Sequence, residues 1–328
     1  MTIKELAKLT GVSPSAISRY LNGGALSPEK RAVIRAAIEK TGYEPDIAAK
    51  TLRTRTTDLI GIVVPRLDSE AVSRVAAGAE DVLSREGYVC QISVSGIDPE
   101  RELELLHLFQ ARSAAGVILM ATVCTRRHEQ ALHDLQIPAV VIGQNYHSVC
   151  SVYHDDYGAA LDLTRLILQR GRKRPVFIGV TERDAAAGIA RRNGVRDGLL
   201  EYGLTPEALP VEISDFSLQG GREAMERLLQ RQPDLDAVIC ATDHIAFGAM
   251  EALRAAGKRL PDDVSVVGVG DSWACEHIEP HLTSAHFYYR TSGQEGARML
   301  VELLRSEAAV RPIRQTVLSY SIQERDSI

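Results

Sequence analysis

Cysteine is sparse in this chain of 328 residues, and no two cysteines form a C-x-x-C pair. The five cysteines are odd in number and far apart, so the sequence contains neither a disulfide framework nor a zinc-ribbon pattern. Because most of them stand in apolar runs, we expect reduced and mostly buried thiols at Cys90, Cys124, Cys150, Cys240 and Cys275.

Long apolar runs are missing as well. No stretch approaches the ~18 apolar residues of a membrane-spanning helix. The amino-terminal segment MTIKELAKLT lacks the apolar centre of a secretory signal. With 45% hydrophobic and 25% charged residues, the composition is that of a globular protein. We therefore expect a cytoplasmic protein of two or three domains with no membrane partner.

Motifs for catalysis are also lacking. The sequence has no G-x-S-x-G nucleophile motif, no phosphate loop ending in G-K-S/T, and no dinucleotide-binding G-x-G-x-x-G. The segment CEHIEPH at 275–281 gathers metal-binding residue types, but Pro280 interrupts the helix that would align them and no fourth ligand follows. We expect neither an enzyme nor a bound metal or other cofactor.

Charge is unevenly distributed along the chain. Residues 1–57 hold ten basic and five acidic residues, whereas the remainder holds 28 basic and 38 acidic ones. A small basic segment on a larger acidic body is typical of a protein in which only that segment contacts a polyanion. The basic run at 169–175 lies within the acidic body, and we interpret it as a solvated loop.

Three helices are predicted in the basic segment. Thr2 and Glu5 can form a capping box at the first, and Ser13 can cap a second that has Pro14 at its first position. A third helix follows and ends at Gly42. The tight connection between the first two helices is typical of a helix-turn-helix.

The second helix has a polar and basic outer face. Its members follow i, i+3, i+4 and i+7 spacing and are Ser15, Ser18, Arg19 and Asn22. Ile17 and Leu21 point the other way, toward the first helix. An arginine can contact two guanine acceptors in the major groove, and a helix amino terminus suits a phosphate. The alternative is an ordinary helical hairpin with a solvated face; the local basic charge favours DNA.

Seven short apolar runs alternate with amphipathic helices in the acidic body. Continuous apolar strands separated by helices predict parallel sheets that are covered on both faces, and this length requires two doubly wound sheets with a cleft between them. The predicted strands are residues 59–64, 88–94, 116–121, 139–143, 175–180, 236–241 and 264–270.

The segments TIKELAKLTGVSPSAISRYLNG, LSPEKRAVIRAAIEKTGYEPDIAAKTLRT and LIGIVVPRLDS resemble the LacI/GalR family of bacterial transcription regulators. The resemblance covers the whole chain and implies cytoplasmic homodimers, sometimes tetramers, on pseudo-palindromic operators in the nucleoid. It implies an all-α headpiece at 1–43, a hinge helix and linker at 44–58, and a periplasmic-binding-protein-like α/β core at 59–328. Within that core, it implies an N-subdomain of 59–155 with 287–311 and a C-subdomain of 156–286 with 312–328.

The resemblance also implies which residues contact DNA. The family's base-reading positions fall on Pro14 and Ser15, and its arginine falls on Arg19. Its hinge pattern P-N-x-x-A-R-x-L matches PDIAAKTL at 45–52, with Asp46 in place of asparagine. An apolar side chain at the end of this pattern is the family's minor-groove wedge. The expected DNA contacts are Thr2, Ser13, Pro14, Ser15, Ser18, Arg19, Asn22, Ala49, Lys50 and Leu52.

Effector-binding positions follow from the same resemblance. Arg191 matches the arginine of the family's R-x-x-G motif, Phe216 its aromatic platform and Thr242 its polar position after a strand, where Asp243 is predicted to cap the next helix. Gly270 replaces the first of two aspartates and Asp271 keeps the second. Arg66, Asp68 and Ser69 are expected at the site independently of the resemblance, because they directly follow the first strand, where a ligand should bind. The expected effector contacts are Arg66, Asp68, Ser69, Arg191, Phe216, Thr242 and Asp271.

The effector class rests on charge. Arg66, Arg191 and the lost carboxylate favour an anionic ligand such as a sugar phosphate; the alternative for Arg66 is an ion pair with Asp68 at the rim. The PRLDS turn resembles the trehalose- and sucrose-repressor branches. We predict a repressor of a carbohydrate-utilisation operon controlled by a sugar or sugar phosphate. The alternatives are a sugar receptor without DNA function and a sugar-modifying enzyme.

Overall fold

The computed structural model describes residues 1–21, 24–43, 57–123, 125–306 and 312–328. By its internal contacts the chain divides into two compact units, Met1–Thr57 and Asp58–Ile328. None of the helices that the structure describes is long and apolar enough to cross a membrane. Several positions named above lie outside the described residues: Asn22, the hinge residues Ala49, Lys50 and Leu52, and Cys124.

Three helices make up the first unit: α1 (Ile3–Thr10), α2 (Pro14–Leu21) and α3 (Pro28–Thr41). The predicted capping box is confirmed, because the Glu5 carboxylate accepts from the Thr2 amide at 2.8 Å. Gly11 ends α1 at φ +67°, a backbone conformation that glycine adopts without strain. The helices share one core, which is made of Leu6, Ile17, Ile34 and Tyr43.

The first of two sheets in the second unit has six strands in the order β11-β5-β4-β3-β1-β2, all paired in parallel. They are β1 (Leu59–Val64), β2 (Val89–Val94), β3 (Gly116–Met120), β4 (Ala139–Ile142), β5 (Cys150–His154) and β11 (Gln315–Leu318). Its helices are α4 (Glu70–Leu83), α5 (Pro99–Ala111), α6 (Arg126–Asp134) and α11 (Tyr289–Arg305).

The second sheet has the order β12-β10-β9-β8-β6-β7 and is parallel except between β10 and β12. Its strands are β6 (Pro175–Gly179), β7 (Val211–Ile213), β8 (Ala237–Cys240), β9 (Ser265–Gly270), β10 (Thr283–Phe287) and β12 (Tyr320–Gln323). Its helices are α7 (Asp156–Gln169), α8 (Arg191–Glu201), α9 (Leu218–Arg231) and α10 (Asp243–Ala255), with a π-helix at Ala185–Ala190 and short 3₁₀ helices at Pro206–Ala208 and Trp273–Glu276.

The predicted fold class is therefore confirmed: a helical amino-terminal unit and two doubly wound sheets. All seven predicted strands form, each to within one residue at either end. Their side chains are buried on both faces in all but the edge strand β2, which explains why they read as continuous apolar runs. The remaining five strands, β5, β7, β10, β11 and β12, are shorter or less apolar and were not predicted from the sequence.

Helices α4 and α11 cross at very short range. A Cβ placed on Gly78 would lie 2.0 Å from the carbonyl oxygen of Arg290, and one placed on Gly293 would lie 2.0 Å from that of Val75. Glycine at both positions lets the two backbones touch. The contact fixes α11, which follows β10 in the chain, against the first sheet rather than the second.

The chain crosses between the sheets three times, and each crossing is one residue long. Asp155 separates β5 from α7, Tyr288 separates β10 from α11, and Ser319 separates β11 from β12. The third crossing corrects the expected boundary, which assigned all of 312–328 to the C-subdomain. Residues 315–318 instead pair in parallel with β5 of the first sheet, and only the chain after Ser319 joins the second.

Candidate functional site

A cavity of about 440 Å³ lies at the carboxyl edges of both parallel sheets. The chain that follows β1, β3 and β4 lines one side, and the chain that follows β6, β7 and β8 lines the other. This edge is where open α/β sheets bind ligands. Six of the seven predicted effector residues line it: Arg66, Asp68, Ser69, Arg191, Phe216 and Thr242.

Arg191 is buried in the wall of the cavity. Its Nε and Nη2 donate to Oδ1 of Asp156 at 2.8 and 2.7 Å, and its Nη1 donates to the carbonyl of Ala241. Burial disfavours the charge, but the Asp156 carboxylate raises the pKa of Arg191 above its ordinary value. Burial also raises the pKa of Asp156, and the Arg191 guanidinium opposes that shift only in part. Much of the donor capacity of Arg191 is therefore used inside the protein.

Arg66 is also paired before any ligand arrives. Its Nε and Nη2 donate to the two carboxylate oxygens of Asp68 at 2.5 and 2.7 Å, a two-point ion pair. The Arg66 guanidinium lowers the pKa of Asp68 to about 2. The structure thus shows the rim ion pair that the sequence analysis kept as the alternative for Arg66. An anionic ligand would have to displace Asp68 to use this arginine.

Gly270 does not leave the cavity short of a carboxylate. A Cβ at this position would lie 3.0 Å from Oδ2 of Asp243, which reaches the same place from the start of α10. Oδ1 of Asp243 accepts from Ser284 Oγ at 2.6 Å, and Oδ2 accepts from the Ser272 amide at 2.8 Å. The prediction that Asp243 caps α10 is wrong. Thr242 caps this helix, and its side chain accepts from the Ile245 amide at 3.4 Å.

The charge argument for an anionic ligand therefore fails. Both predicted arginines are paired, and the carboxylate assumed lost at residue 270 is supplied by Asp243. Carboxylates also outnumber arginines among the lining residues that the structure describes: Asp68, Glu70, Asp156, Asp184 and Asp243 against Arg66, Arg74 and Arg191. The described lining therefore has no surplus of positive charge that would select an anion.

Asp271 is the predicted effector residue that the structure does not bring into the cavity. Its backbone has φ +51°, and its carboxylate binds Nδ1 of His286 at 2.8 Å and Nη2 of Arg325 at 2.7 Å. Arg325 follows β12, the antiparallel edge strand that local sequence did not reveal. The pairing of β12 with β10 therefore brings Arg325 next to Asp271. The Asp271 carboxylate binds side chains of the second sheet rather than facing the cavity.

Phe216 lines the cavity from the loop before α9. It has φ +71°, a left-handed conformation that costs a non-glycine residue about 1–3 kcal/mol. Its ring also packs against the core of the second sheet. Ser217 follows and caps α9, accepting from the Gly220 amide at 2.9 Å. The packing of the ring and the cap at Ser217 together hold the Phe216 backbone in its strained conformation and the ring at the cavity.

Two hydrogen bonds that the sequence analysis missed join the two sides of the cavity. Gln144 Nε2, after β4, donates to Asp184 Oδ1, after β6, at 2.8 Å. The amide of Trp273 donates to Glu70 Oε2 at 3.1 Å. Burial raises the pKa of Asp184, and the hydrogen bond from Gln144 opposes that shift. Gln144 lies two residues after the end of β4 and Asp184 five residues after the end of β6, so no local pattern in the sequence linked the two.

The predicted DNA face of the first unit is exposed. Ser13, Pro14, Ser15 and Arg19 lie on the surface, Ser18 is half-buried, and Thr2 is exposed at the start of α1. Ser13 caps α2 as predicted, accepting from the Ala16 amide at 3.4 Å, while Ile17 is fully buried on the opposite side. The exposed face is polar and ends in one arginine.

Within the described part of the chain, no group of three or more histidine, cysteine, aspartate or glutamate side chains is arranged to hold a metal ion. Three cysteines are buried as expected and Cys90 is half-buried, where burial raises its thiol pKa to about 11.

An exposed polar helix in a basic three-helix unit, carried with an α/β unit that holds a ligand-sized cavity, defines a DNA-binding transcription regulator with a small-molecule site. Residues 2–46 match the model for bacterial regulatory proteins of the lacI family, and residues 164–328 match the periplasmic binding protein-like domain. The chain belongs to the lacI family.

Two relatives named as transcription regulators match this chain over nearly their whole length. The HTH-type transcriptional regulator CelR of Thermobifida fusca is 33% identical over 99% of this chain and 98% of its own. The sucrose operon repressor of Staphylococcus xylosus is 28% identical over 93% and 94%. A solved complex of the transcriptional regulator CelR with cellobiose has a TM-score of 0.76 at 29% identity and covers 100% of this chain and 99% of that one.

Proposed function

We propose that this protein represses a carbohydrate-utilisation operon and that an uncharged sugar in the cavity controls its affinity for the operator. The observation that carries the proposal is the cavity itself: its arginines are already paired and its carboxylates are in excess. Relatives named for sucrose and for a cellobiose complex support a sugar. We propose no catalytic activity, and a site of action on chromosomal DNA in the cytoplasm.

Operator recognition is assigned to the exposed face of α2. Ser15 and Arg19 are placed to read base edges, and Ser13 at the helix amino terminus to bind a phosphate. Pro14 has no side-chain donor, so readout depends on Ser15, Ser18 and Arg19. Contacts by Thr2 and by the hinge residues Ala49, Lys50 and Leu52, and by Asn22, remain predictions.

Two copies of the chain are needed to read a pseudo-palindromic operator. The edge strand β2 supports a homodimer, because Val89, Ile92 and Val94 are 65%, 46% and 41% exposed on an unpaired sheet edge. Exposed apolar edges of this kind are commonly covered by a partner. We propose that a second copy covers β2; a tetramer is the alternative, and sedimentation distinguishes the two.

Control by the sugar requires that it bind one arrangement of the two sheets better than another. The Gln144–Asp184 and Trp273–Glu70 hydrogen bonds join the two sides of the cavity. A ligand that contacts Arg66 and Ser69 on one side and Phe216 and Thr242 on the other would stabilise the arrangement in which the two sides are joined.

The test is binding of the full chain to the DNA upstream of its own gene, measured by fluorescence anisotropy over a salt series with and without sucrose, cellobiose and ribose. We expect Arg19→Ala to weaken operator binding roughly ten- to a hundred-fold, because base contacts of this kind contribute about 1–3 kcal/mol. Arg35→Ala is the matched control, since Arg35 is an exposed arginine on α3.

Equal affinities of the Arg19→Ala and Arg35→Ala variants would remove α2 from the DNA interface. Failure of the unsubstituted chain to bind any upstream fragment at low salt, with or without sugar, would overturn the proposed function.

A further inference from the structure

His154 is a buried residue in the lining of the cavity. This residue ends β5, is 7% exposed, and stacks on Phe287 at the end of β10 with ring centroids 4.6 Å apart and ring planes 3° apart. Tyr289 meets the His154 ring edge-on at 5.3 Å. The stack joins the carboxyl edges of the two sheets, and all three rings line the cavity.

The hydrogen bonds of His154 are unequal. The backbone of Tyr288 accepts a hydrogen bond from the ring, whereas Nε2 is buried and has no partner among the described residues. A neutral ring that carries its proton on Nδ1 satisfies the bond to Tyr288 and leaves a lone pair on Nε2. Burial, together with the nearby Arg191 charge, lowers the pKa of His154 to about 4 and so favours the neutral ring. In this tautomer Nε2 is an acceptor without a partner among the described residues.

Thr122 presents a second buried polar atom of the same kind. It follows β3, lines the cavity, and its Oγ1 is buried without a hydrogen-bond partner in the described chain. Strands β3, β4 and β5 are neighbours in the first sheet, so Thr122, Gln144 and His154 follow one another along a single edge. A buried polar group without a partner is costly, and a bound ligand can supply the missing hydrogen bond.

We propose that His154 is a specificity-determining residue of this site, with Nε2 accepting a hydrogen bond from a hydroxyl of an uncharged sugar whose neighbouring polar group is bound by Thr122. The inference rests on the proposed function and narrows it. A bare acceptor selects a ligand that donates. A hydroxyl donates, whereas a phosphate dianion has no proton to give, so the group of the ligand that faces Nε2 is a hydroxyl rather than a phosphate.

The experiment measures sugar binding by calorimetry to the full chain and to three variants. The probes are sucrose, cellobiose and ribose, with gluconate and glucose 6-phosphate as anionic counterparts. His154→Phe keeps a ring to stack on Phe287 but removes the acceptor, and we expect it to weaken binding of the neutral sugar roughly ten- to a hundred-fold. His154→Gln restores an acceptor near the position of Nε2 and is expected to recover most of the affinity.

Monodeoxy analogues of the bound sugar separate recognition from a structural role. One deoxy analogue should lose affinity for the unsubstituted chain but bind His154→Phe as well as the parent sugar does, because that variant lacks the acceptor. Thr122→Val should weaken the parent sugar and leave this His154 difference in place. Circular dichroism establishes that each variant is folded.

The outcomes separate the two proposals. Equal sugar affinity in the His154→Phe variant and the unsubstituted chain overturns the role of His154 and leaves an effector site. Tighter binding of glucose 6-phosphate or gluconate than of every neutral sugar overturns the assignment of an uncharged sugar. Absence of binding by all five probes counts against the sugar-controlled function and against this inference together.

Discussion

Replacing Arg191 by methionine should destabilise the second unit severely. The substitution keeps much of the side-chain volume but removes the donors to Asp156 and to the Ala241 carbonyl, all of them buried. Removing one partner of a buried ion pair leaves an uncompensated charge and costs about 3–5 kcal/mol. For a unit of this size that corresponds to a fall in melting temperature of roughly 6–20 °C.

The loss should depend on pH in a direction set by Asp156. Burial already raises the pKa of Asp156, and Arg191 is the group that opposes the rise, so the pKa climbs further without it. A carboxyl whose pKa is higher in the folded than in the unfolded state stabilises the fold fully only below its unfolded pKa of about 4. As pH rises above that value the variant should lose stability relative to the unsubstituted chain, until the folded pKa is passed.

Chemical denaturation of the full chain at pH 5 and pH 8, followed by far-ultraviolet circular dichroism, measures both effects. Arg192→Met is the matched control, because Arg192 is the next residue in the chain and pairs with the exposed Glu182. Its ion pair should contribute no more than about 1 kcal/mol to stability. Adding Asp156→Asn to Arg191→Met removes the unpaired charge and should restore much of the stability. Equal losses in the Arg191 and Arg192 variants, or a loss that shrinks at pH 8, would refute the reasoning.

Two further predictions concern the cavity and the packing. Trp273 is the only tryptophan in the sequence, is 68% exposed, and donates its amide to Glu70 across the cavity. Because the sugar is proposed to shift the arrangement of the two sheets on either side of this bond, saturating sugar should change the tryptophan fluorescence. Trp273→Phe is the blank, and an unaltered spectrum contradicts the proposed shift. Gly78→Ala should cost roughly 3 kcal/mol or more in urea denaturation, because its Cβ meets the Arg290 carbonyl. Gly87→Ala, which meets nothing within 4 Å, should cost only about 1 kcal/mol, and matching midpoints for the two glycine variants contradict the packing argument.

Local sequence was sufficient for elements whose stability is local. The Thr2–Glu5 box and the start of α2 at Pro14 depend on residues within one turn, and the buried strands are apolar throughout because both faces are covered. Strands β11 and β12 lie at sheet edges, alternate in burial or are half-buried, and are separated by Ser319 alone. Strand β11 pairs with β5, more than 150 residues earlier in the chain, and β12 pairs with β10, about 35 residues earlier. No local pattern encodes which sheet each of them joins.

The candidate site shows the same division. The family resemblance correctly placed Arg191, Phe216 and Thr242 at the cavity. The charge available to a ligand, however, depends on which charged side chains form ion pairs with each other. Asp156 is 35 residues from Arg191, and Asp243 occupies the space beside Gly270 from a different strand end. Counting charges along the sequence treated both arginines as available. Only the folded arrangement shows that they are paired.

The three one-residue crossings limit how the two halves of the second unit can move. Asp155, Tyr288 and Ser319 each span less than 4 Å of chain on either side, so the halves can tilt about this seam but can neither separate nor slide far past each other. His154 and Phe287 sit directly beside two of the three crossings. A sugar that rests on that ring stack lies near the pivot, where a small displacement of atoms becomes a much larger displacement at the far ends of both sheets.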